Sequence, residues 1–600
     1  ERVRGLVADV ARELGAVNDP GPKIRGALDL LADLDVDTDW AGDLPDLPNG
    51  AKALKSERAE ALREALAELR GALADKVAVR WREGLDALLL DYGRRFEALK
   101  RERGAVDFGD LELLAVDLLG RPEIGARYRE RFSHVMVDEL QDTNAVQLAL
   151  VDLVRGPETA LFMVGDAQQS IYGFRHADVE LFEQRGRVLA ESGSRLALTR
   201  NFRSRAEILS VLNAGYQELM PGYRPLAAGR EDPPAEAPRV ELLIADKQAE
   251  WAEDDGLATP WRAAEARALA ARLAALVQEG SARPGEIVVL TRATTDLAVY
   301  ERALEAAGLA TFVVGGRGYW SHPQVVVLVS YLRALANPLD QEPLWAVYLS
   351  GLCGLSLDGL VLVADGARDE LDEHDAAALA RFEEFFAGER ERADRLGAEQ
   401  LIDRALAWSG YELELAALAD GRRRLANVRK LMRLAREHER EHGPDLRGFV
   451  DFVEQRIHGG AGARDAEAPV ESEALDAVRL MTIHRSKGLE FPVVCVADLG
   501  RGPSWGAPLL RLAPDKLGLR IGRLGGGKRL SALAFDELRE AELEAERAEQ
   551  RRLFYVALTR AQERLIMSGA MALDKPVRPD SMKPMDWLAP AFRELPGVAV

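Results

Sequence analysis

Apolar residues recur at helical spacing over the first hundred residues of the chain. Between residues 54 and 73 they fall at positions 54, 61, 62, 66, 69 and 73, with arginine and glutamate among them. A stripe of this spacing is typical of amphipathic helices. We therefore expect residues 1–105 to form an all-helical segment.

Short apolar runs that end in polar residues replace this pattern further along. They lie at 132–138, 160–166, Val240–Ile244, Glu286–Leu290, Val478–Ile483, Val493–Ala497 and Leu565–Met567. Such runs, with helical stretches between most of them, indicate an α/β fold with parallel sheets. The first two runs are predicted to be buried strands with polar groups at their carboxyl ends.

A second helical and highly charged region lies between about residues 345 and 470. It ends in a Gly/Ala-rich stretch from His458 to Pro469, which has the composition of a linker. We interpret the region as an insertion that splits one α/β domain.

Composition narrows the class of protein. A chain of 600 residues with 47% hydrophobic composition can form about three or four domains with large cores. Cys353 and Cys495 are too few for a disulfide framework or a four-cysteine zinc site. Since no secretory leader follows Glu1, and no apolar stretch reaches the roughly 20 residues of a membrane span, a soluble cytoplasmic protein is expected.

The net charge of −20 also bears on partners. It argues against a protein that coats nucleic acid through bulk electrostatics. A local basic groove that confines DNA to a defined channel remains compatible with it.

Two adjacent carboxylates follow the first apolar run, in the stretch VMVDELQD at 135–142. Because open α/β sheets bind ligands at the carboxyl ends of their strands, Asp138 and Glu139 are expected at such an edge. One carboxylate can hold Mg²⁺ and the other can orient or deprotonate water, as in nucleotide hydrolysis. An acidic loop without a catalytic role is the alternative, and the pair alone does not decide between them.

The stretch VGDAQQSIYGFRHAD at 164–178 follows the second apolar run. It joins polar groups that can reach phosphate, Gln168 and Gln169, to the stacking side chains Tyr172, Phe174 and Arg175. Aromatic rings and guanidinium planes stack on unpaired bases without reading sequence. One loop could therefore contact nucleotide and single strand together, unless the aromatic side chains are ordinary core anchors.

Five blocks, in order, resemble motifs II to VI of the UvrD family of superfamily 1 DNA helicases. They are 135–142, 164–178, LTRNFRS at 198–204, MTIHRSKGLEF at 481–491 and RRLFYVALTRA at 551–561. The stretch VDFGDL at 106–111 and the stretch 315–340, which contains LRALANPLD at 332–340, are also similar to the family. The form of 107–111, the string from Ile483 to Pro492 and MDWL at 585–588 resemble the AddA/RecB branch.

The resemblance covers roughly residues 105–590 and implies two RecA-like, P-loop NTPase-type parallel-sheet domains, each with a largely helical inserted subdomain. The implied division is 1–105 for the first insertion, 106–200 for the remainder of the first domain, 201–344 for the first part of the second domain, 345–470 for its insertion, and 471–600 for the rest.

The resemblance also implies an ATP site. In the first domain, Asp138 would coordinate Mg²⁺, Glu139 would activate the attacking water and Gln169 would sense the γ-phosphate. In the second domain, the implied nucleotide-binding residues are Phe202 against adenine, Arg203 at the γ-phosphate, Glu490 at the ribose, Arg560 as an arginine finger, and the turn Lys487–Gly488.

A single-stranded DNA path is implied as well. Tyr172, Phe174 and Arg175 would pass the nucleotide state to the strand, and Thr482 and His484 would line its other part. A satisfied structural histidine is the alternative for His484. His176 stands where the UvrD pattern more often has glycine, so the end of that loop departs from the family pattern.

Two features of such proteins are not found in the 600 residues. No phosphate-binding P-loop (GxxxxGK[ST]) precedes residue 135, and the near-match GRLGGGKR at 522–529, which ends in arginine, is interpreted as a surface turn. We expect the P-loop in an upstream segment, and little ATP hydrolysis by these residues alone. Nor do the 33 residues after Met567 (600 − 567) leave room for a nuclease domain.

The sequence HEREH at 438–442 matches a zinc-protease pattern. It lies within the charged stretch 433–447 and lacks a third ligand at a familiar spacing, so we interpret it as a solvated helix face.

Together these features predict an ATP-dependent helicase or translocase, moving 3′ to 5′ on single-stranded DNA in recombinational repair of double-strand breaks. The expected partners are single-stranded DNA, DNA with duplex ends and an AddB-like or RecC-like protein. The alternative is a catalytically inactive DNA- or partner-binding paralogue without a P-loop.

Overall fold

The computed structural model describes the chain except residues 192, 234, 236, 252–258, 315–318, 338, 341, 419–420, 459–475, 504–505, 507, 523–528 and 577–580. Most of the predicted linker and of the near-match to a P-loop therefore lies outside the described residues, as do parts of the family-like stretch 315–340. The chain forms two compact units, the first from 1–196 and 503–552 and the second from 197–502 and 553–600.

The helices are α1 (Arg2–Gly15), α2 (Pro22–Ala32), α3 (Glu57–Glu102), α4 (Phe108–Gly120), α5 (Pro122–Arg131), α6 (Ala145–Val154), α7 (Val179–Glu191), α8 (Ala206–Leu219), α9 (Pro260–Gln278), α10 (Leu297–Ala306), α11 (Pro323–Ala336), α12 (Glu342–Tyr348), α13 (Leu357–Ala364), α14 (Glu373–Arg392), α15 (Ala398–Ser409), α16 (Tyr411–Ala417), α17 (Gly421–His442), α18 (Leu446–His458), α19 (Ile483–Ser486), α20 (Phe535–Leu558) and α21 (Pro584–Phe592). None of the described helices is long and apolar enough to cross a membrane.

The strands are β1 (His134–Val137), β2 (Ala160–Met163), β3 (Arg200–Asn201), β4 (Ala227–Ala228), β5 (Val240–Asp246), β6 (Ile287–Thr291), β7 (Thr311–Val313), β8 (Val478–Thr482), β9 (Phe491–Val496), β10 (Leu510–Ala513), β11 (Lys516–Ile521), β12 (Leu530–Leu533), β13 (Ala561–Met571) and β14 (Val598–Ala599). Each apolar run singled out in the sequence overlaps a strand, which confirms that part of the prediction.

The second unit is built on a seven-stranded parallel sheet in the order β14-β5-β13-β9-β6-β8-β7. Strand β6 is buried along its whole length, and α9 and α10 cover the face that carries Ile287 and Val289 with leucine and alanine side chains. Near-continuous apolar strands are what a sheet covered on both faces requires. The predicted α/β fold with a parallel sheet is therefore confirmed.

The prediction that β1 and β2 of the first unit are buried strands is only half right. They pair in parallel as predicted, but they are not buried, since Met136 is 74% and Phe162 is 55% exposed. Within the described part of the chain this sheet has only these two strands, and residues on one of its faces are exposed in both. An apolar run thus indicated the strand correctly and its burial wrongly.

An antiparallel sheet, β10-β11-β12, was not predicted. Its side chains Leu519 and Ile521 share a core with Ala74 and Ala78 of the 46-residue helix α3. Because of this packing, residues 503–552 group with the first unit, whereas the sequence division assigned all of 471–600 to the second domain.

The helices α11 to α18 of the second unit share a separate core. Its largest buried side chains include Tyr331, Phe382 and Phe449. Among the described residues, no strand contributes to this core, in agreement with the charged helical pattern of 345–470.

Candidate functional site

The predicted carboxylate pair lies at the carboxyl end of β1 in the first unit. Both Asp138 and Glu139 are exposed, and the Glu139 amide donates to Asp138 Oδ1 at 2.8 Å. Glu139 has φ 51° and ψ 39°, a left-handed conformation that costs a residue with a side chain about 1–2 kcal/mol. The backbone turns sharply here, so both acids are presented directly after the strand.

Gln141 ties this turn to the end of β2. Its fully buried amide donates to Glu139 Oε2 at 2.6 Å and accepts from the Asp166 backbone N–H at 2.9 Å. A side chain on Gly165 would approach Gln141 Oε1 to 2.5 Å, so only glycine leaves room for this bridge. Sequence reasoning missed Gln141, although a glutamine two residues after the acids is a polar signal at the same edge.

The second predicted loop begins with Asp166, which was also missed. Its carboxylate accepts from the Gln168 backbone N–H and from Gln169 Nε2, both at 2.9 Å. Gln169 is therefore held beside the strand end by a neighbouring acid.

The stacking residues of that loop are close together. The rings of Tyr172 and Phe174 are 5.8 Å apart, and the Arg175 guanidinium lies 5.9 Å from the Tyr172 ring. Phe174 is 67% exposed, so it is not a core anchor. Burial, and then the nearby Asp142 carboxylate, raise the pKa of the Tyr172 hydroxyl, which keeps it protonated.

Helix α20 fixes the backbone of this loop within the first unit. The Gly173 amide donates to Glu549 Oε1 at 3.2 Å, and Arg552 Nε donates to the Ser170 carbonyl at 2.8 Å. Burial lowers the pKa of Arg552. Neither residue was predicted, because a contact over more than 370 positions leaves no local pattern.

In the second unit, residues 201–204 of the block at 198–204 form a turn that is built by Asn201. Its Oδ1 accepts from the backbone N–H groups of Arg203 and Ser204, both at 2.9 Å. Ser204 Oγ donates to the Ala561 carbonyl at 2.6 Å. The turn is therefore fixed against the start of β13, and Phe202 projects from it with 67% of its surface exposed.

Arg203 and Glu490 meet at this turn. Arg203 Nε lies 2.6 Å from Glu490 Oε2, and Gln562 Nε2 donates to Glu490 Oε1 at 2.8 Å. The Arg203 guanidinium lowers the pKa of Glu490, so the carboxylate is charged at neutral pH. The structure thus brings together two residues that the sequence placed 287 positions apart; Gln562 was missed.

Arg560, the predicted arginine finger, is buried in the second unit with 2% of its surface exposed. Its Nε donates to the Val556 carbonyl at 2.9 Å and its Nη1 to the Leu489 carbonyl at 3.3 Å. In this conformation the guanidinium is held between the end of α20 and the residue before Glu490.

The remaining predicted residues lie on the segment between β8 and β9. Thr482 and His484 are half-buried at the start of α19, and Lys487 is half-buried at its end. Gly488 has φ 82°, a conformation that favours glycine, and it lets the chain turn toward Glu490.

The histidines of HEREH stack face to face, with ring centroids 4.4 Å apart. His438 also contacts Phe449 and Phe452, and burial lowers its pKa. In the described ranges, no group of three or more potential ligands could hold a metal ion.

Comparison with known proteins gives matches in both parts of the chain. A family model described as the UvrD/REP helicase N-terminal domain matches residues 49–188, and one described as the UvrD-like helicase C-terminal domain matches residues 369–571. The AddA subunit of the ATP-dependent helicase/nuclease of Bacillus mycoides (strain KBAB4) is 32% identical over 574 residues, covering 85% of this chain and 46% of that protein.

The protein of the same name from Bacillus cytotoxicus is 32% identical over 573 residues, covering 84% of this chain and 45% of that protein. The chain therefore spans about half the length of the curated relatives it matches.

Proposed function

Because this chain belongs to the UvrD-like helicase family, we propose that it forms part of the motor of an ATP-dependent DNA helicase that translocates on single-stranded DNA. The observation that carries the proposal is the turn at 201–204, which presents an exposed ring and an arginine beside Glu490. A ring for a base, an arginine for phosphate and a carboxylate for ribose hydroxyls match the three parts of a nucleotide.

The acids at the end of β1 would serve the hydrolysis step. The exposed Asp138 carboxylate offers the hard oxygen ligand that Mg²⁺ prefers, with the other ligands coming from phosphates and water. Mg²⁺ would neutralise charge on the phosphates. Glu139, held by Gln141 in a left-handed conformation, would orient and deprotonate the attacking water, and Gln169 would respond to the γ-phosphate.

Two arginines would stabilise the transferred phosphoryl group. Arg203 would exchange its bond to Glu490 for one to the γ-phosphate, which would leave Glu490 to accept from the ribose. Arg560 would have to leave the carbonyls of Leu489 and Val556 to reach phosphate, so its engagement requires a rearrangement. The fixed fork of a guanidinium matches phosphate oxygens and spreads charge over them. Lys487 and Gly488 would complete the nucleotide-binding turn.

DNA would bind through stacking and through the segment after β8. The exposed Phe174 with Tyr172 and Arg175 supports base stacking without sequence preference. Thr482 and His484 would contact the same strand. We further propose 3′ to 5′ movement, a role in recombinational repair of double-strand breaks, DNA ends as substrate and an AddB-like or RecC-like partner protein, on the basis of the family branch.

The test is ATP hydrolysis by the complete gene product with and without single-stranded DNA, with Glu139→Gln beside it. We expect stimulation by DNA, and a loss of at least about 100-fold in kcat for Glu139→Gln, because the general base is removed while nucleotide binding is kept. Glu158→Gln, an exposed glutamate of the same unit, is the matched control.

Equal turnover in Glu139→Gln and the parent would refute the assigned role of Glu139. DNA binding without any ATP hydrolysis would instead favour the non-catalytic paralogue.

A further inference from the structure

The ring of Phe202 rests on a glycine from another part of the chain. An ideal Cβ on Gly229 would lie 2.6 Å from Cδ1 and 2.7 Å from Cε1 of Phe202. Real Cβ atoms essentially never approach carbon so closely, so any side chain here would force the ring to move. Gly229 has no left-handed φ, so its backbone conformation does not itself demand glycine.

The position of Gly229 is fixed by the same strand pair that carries Phe202. Strands β3 and β4 are parallel, and the Gly229 amide donates to the Asn201 carbonyl at 2.8 Å, one residue before the ring. The Asn201 side chain then fixes the turn that follows. The distance between Gly229 and the ring is therefore determined by a backbone hydrogen bond on one side of Phe202 and by the Asn201 side chain on the other.

Although the ring is supported in this way, most of its surface remains open. Phe202 is 67% exposed, and the Arg200 guanidinium lies 5.8 Å from its centroid. The exposed surface of the ring is therefore available to a group that stacks on it. Stacking with a planar base is the use for which an exposed, immobilised ring is suited.

We propose that Gly229 is the positioning residue of a nucleobase platform. It provides a flat backbone support that sets the height and tilt of the Phe202 ring for stacking with the base of a nucleotide. This inference rests on the proposed function of the 201–204 turn. It adds that Gly229 determines the affinity for the base of the nucleotide and leaves the affinity for the phosphates unchanged.

The experiment is equilibrium binding of ADP and of inorganic tripolyphosphate to the complete gene product, with Gly229→Ala, Phe202→Ala and the double variant. We expect Gly229→Ala to weaken ADP binding about five- to tenfold, as loss of one stacked ring would, and to leave tripolyphosphate binding unchanged. In steady-state hydrolysis, KM for ATP should rise by a similar factor with kcat nearly constant.

The double variant separates positioning from a general backbone effect. An added Cβ would also lie 3.1 Å from the Asn201 carbonyl oxygen, so a small shift of the strand is possible without the ring. If Gly229 acts through the ring, Gly229→Ala will have no further effect in the Phe202→Ala background. Gly502→Ala, which meets only Lys583 Cγ at 3.5 Å, is the matched glycine control of the same unit.

Two results would overturn the inference while leaving the proposed function in place. One is an ADP affinity that Gly229→Ala does not change. The other is a loss of ADP affinity on Gly229→Ala that is as large in the Phe202→Ala background as in the parent. Failure of the parent protein to bind ADP at all would instead contradict the proposed function.

Discussion

A fully buried glutamate lies in the second unit, outside the proposed site. Glu265 Oε1 accepts hydrogen bonds from the Tyr300 hydroxyl at 3.0 Å, the Asp498 amide at 2.9 Å and the Ser568 hydroxyl at 3.1 Å. Burial, and then the nearby Asp498 carboxylate, raise its pKa to about 7. The ordinary pKa of a glutamate carboxyl is 4.5. Between pH 4.5 and pH 7 the folded protein therefore keeps the proton on Glu265, whereas the unfolded chain has lost it.

This predicts that the second unit is more stable in mild acid. Stability from Glu265 is fully present below pH 4.5 and is lost as pH rises through 7, by up to about 3 kcal/mol. In Glu265→Gln this part of the pH dependence should disappear. Urea unfolding at pH 5 and pH 8 measures it, with Glu250→Gln as the exposed control. An identical fall with pH in both variants would contradict the prediction.

His176 is a second residue-scale test. It ends the aromatic loop with φ 64° and ψ 21°, the left-handed conformation that explains why a glycine suits this position. His176→Gly should be tolerated with little change in stability. His176→Val should lose about 1–2 kcal/mol, because a β-branched residue fits this conformation poorly. Thermal unfolding of the two variants compares them, and equal melting temperatures would show that the conformation is not enforced.

At this scale the sequence predicted residues that lie in compact motifs and missed their supports. Asp138, Phe202 and Arg203 stand in short blocks with recognisable chemistry. Gln141 supports them through hydrogen bonds to two chain segments, and Gly229 through close contact with a ring. A polar position after the acids does not reveal the first, and a lone glycine does not reveal the second. The supporting role of Gln141 and Gly229 depends on distances between backbone segments that are far apart in the sequence. These distances are set by the folded structure and cannot be read from the local sequence.

At the scale of helices and strands, the most specific prediction concerns the contact between α20 and the loop at 170–176. Arg552 donates to the Ser170 carbonyl from a half-buried position, so Arg552→Gln should cost the first unit about 1–3 kcal/mol. Hydrogen exchange of the amides of residues 170–176 should become faster. Arg547→Gln, an exposed position on the same helix, should change neither quantity. Unchanged exchange in Arg552→Gln would mean that α20 does not hold the loop.

The elements also show where sequence patterns lose information. The strands of the seven-stranded sheet were predictable because burial on both faces demands continuous apolar runs. Strand β11 (KLGLRI) mixes charged and apolar residues, because the face that packs on Phe535 carries Arg520 and Gly518 instead of apolar side chains, and it was missed. Strands β1 and β2 were also predicted from continuous apolar runs. Such a run does not show how many strands or helices will pack on the strand.

On the scale of the whole molecule, each compact unit has cores of its own. The first has the cluster around Leu14 and Leu62 and the one between α3 and β11, and the second has the sheet core and the helical core. Calorimetry should therefore resolve more than one unfolding transition. Glu265→Gln should shift only the transition of the second unit and Arg552→Gln only that of the first. A single transition moved by both variants would contradict this.

The two-stranded sheet of the first unit affects how the protein should be purified. In a chain of these 600 residues, Met136 and Phe162 present a hydrophobic face to solvent. Such a face adsorbs to plastic, binds to phenyl resins and promotes aggregation when the protein is concentrated. Ammonium sulfate would aggravate these losses, because excluded salts strengthen apolar association. Purification is best begun in sulfate-free buffer at low protein concentration, with recovery monitored after each filtration.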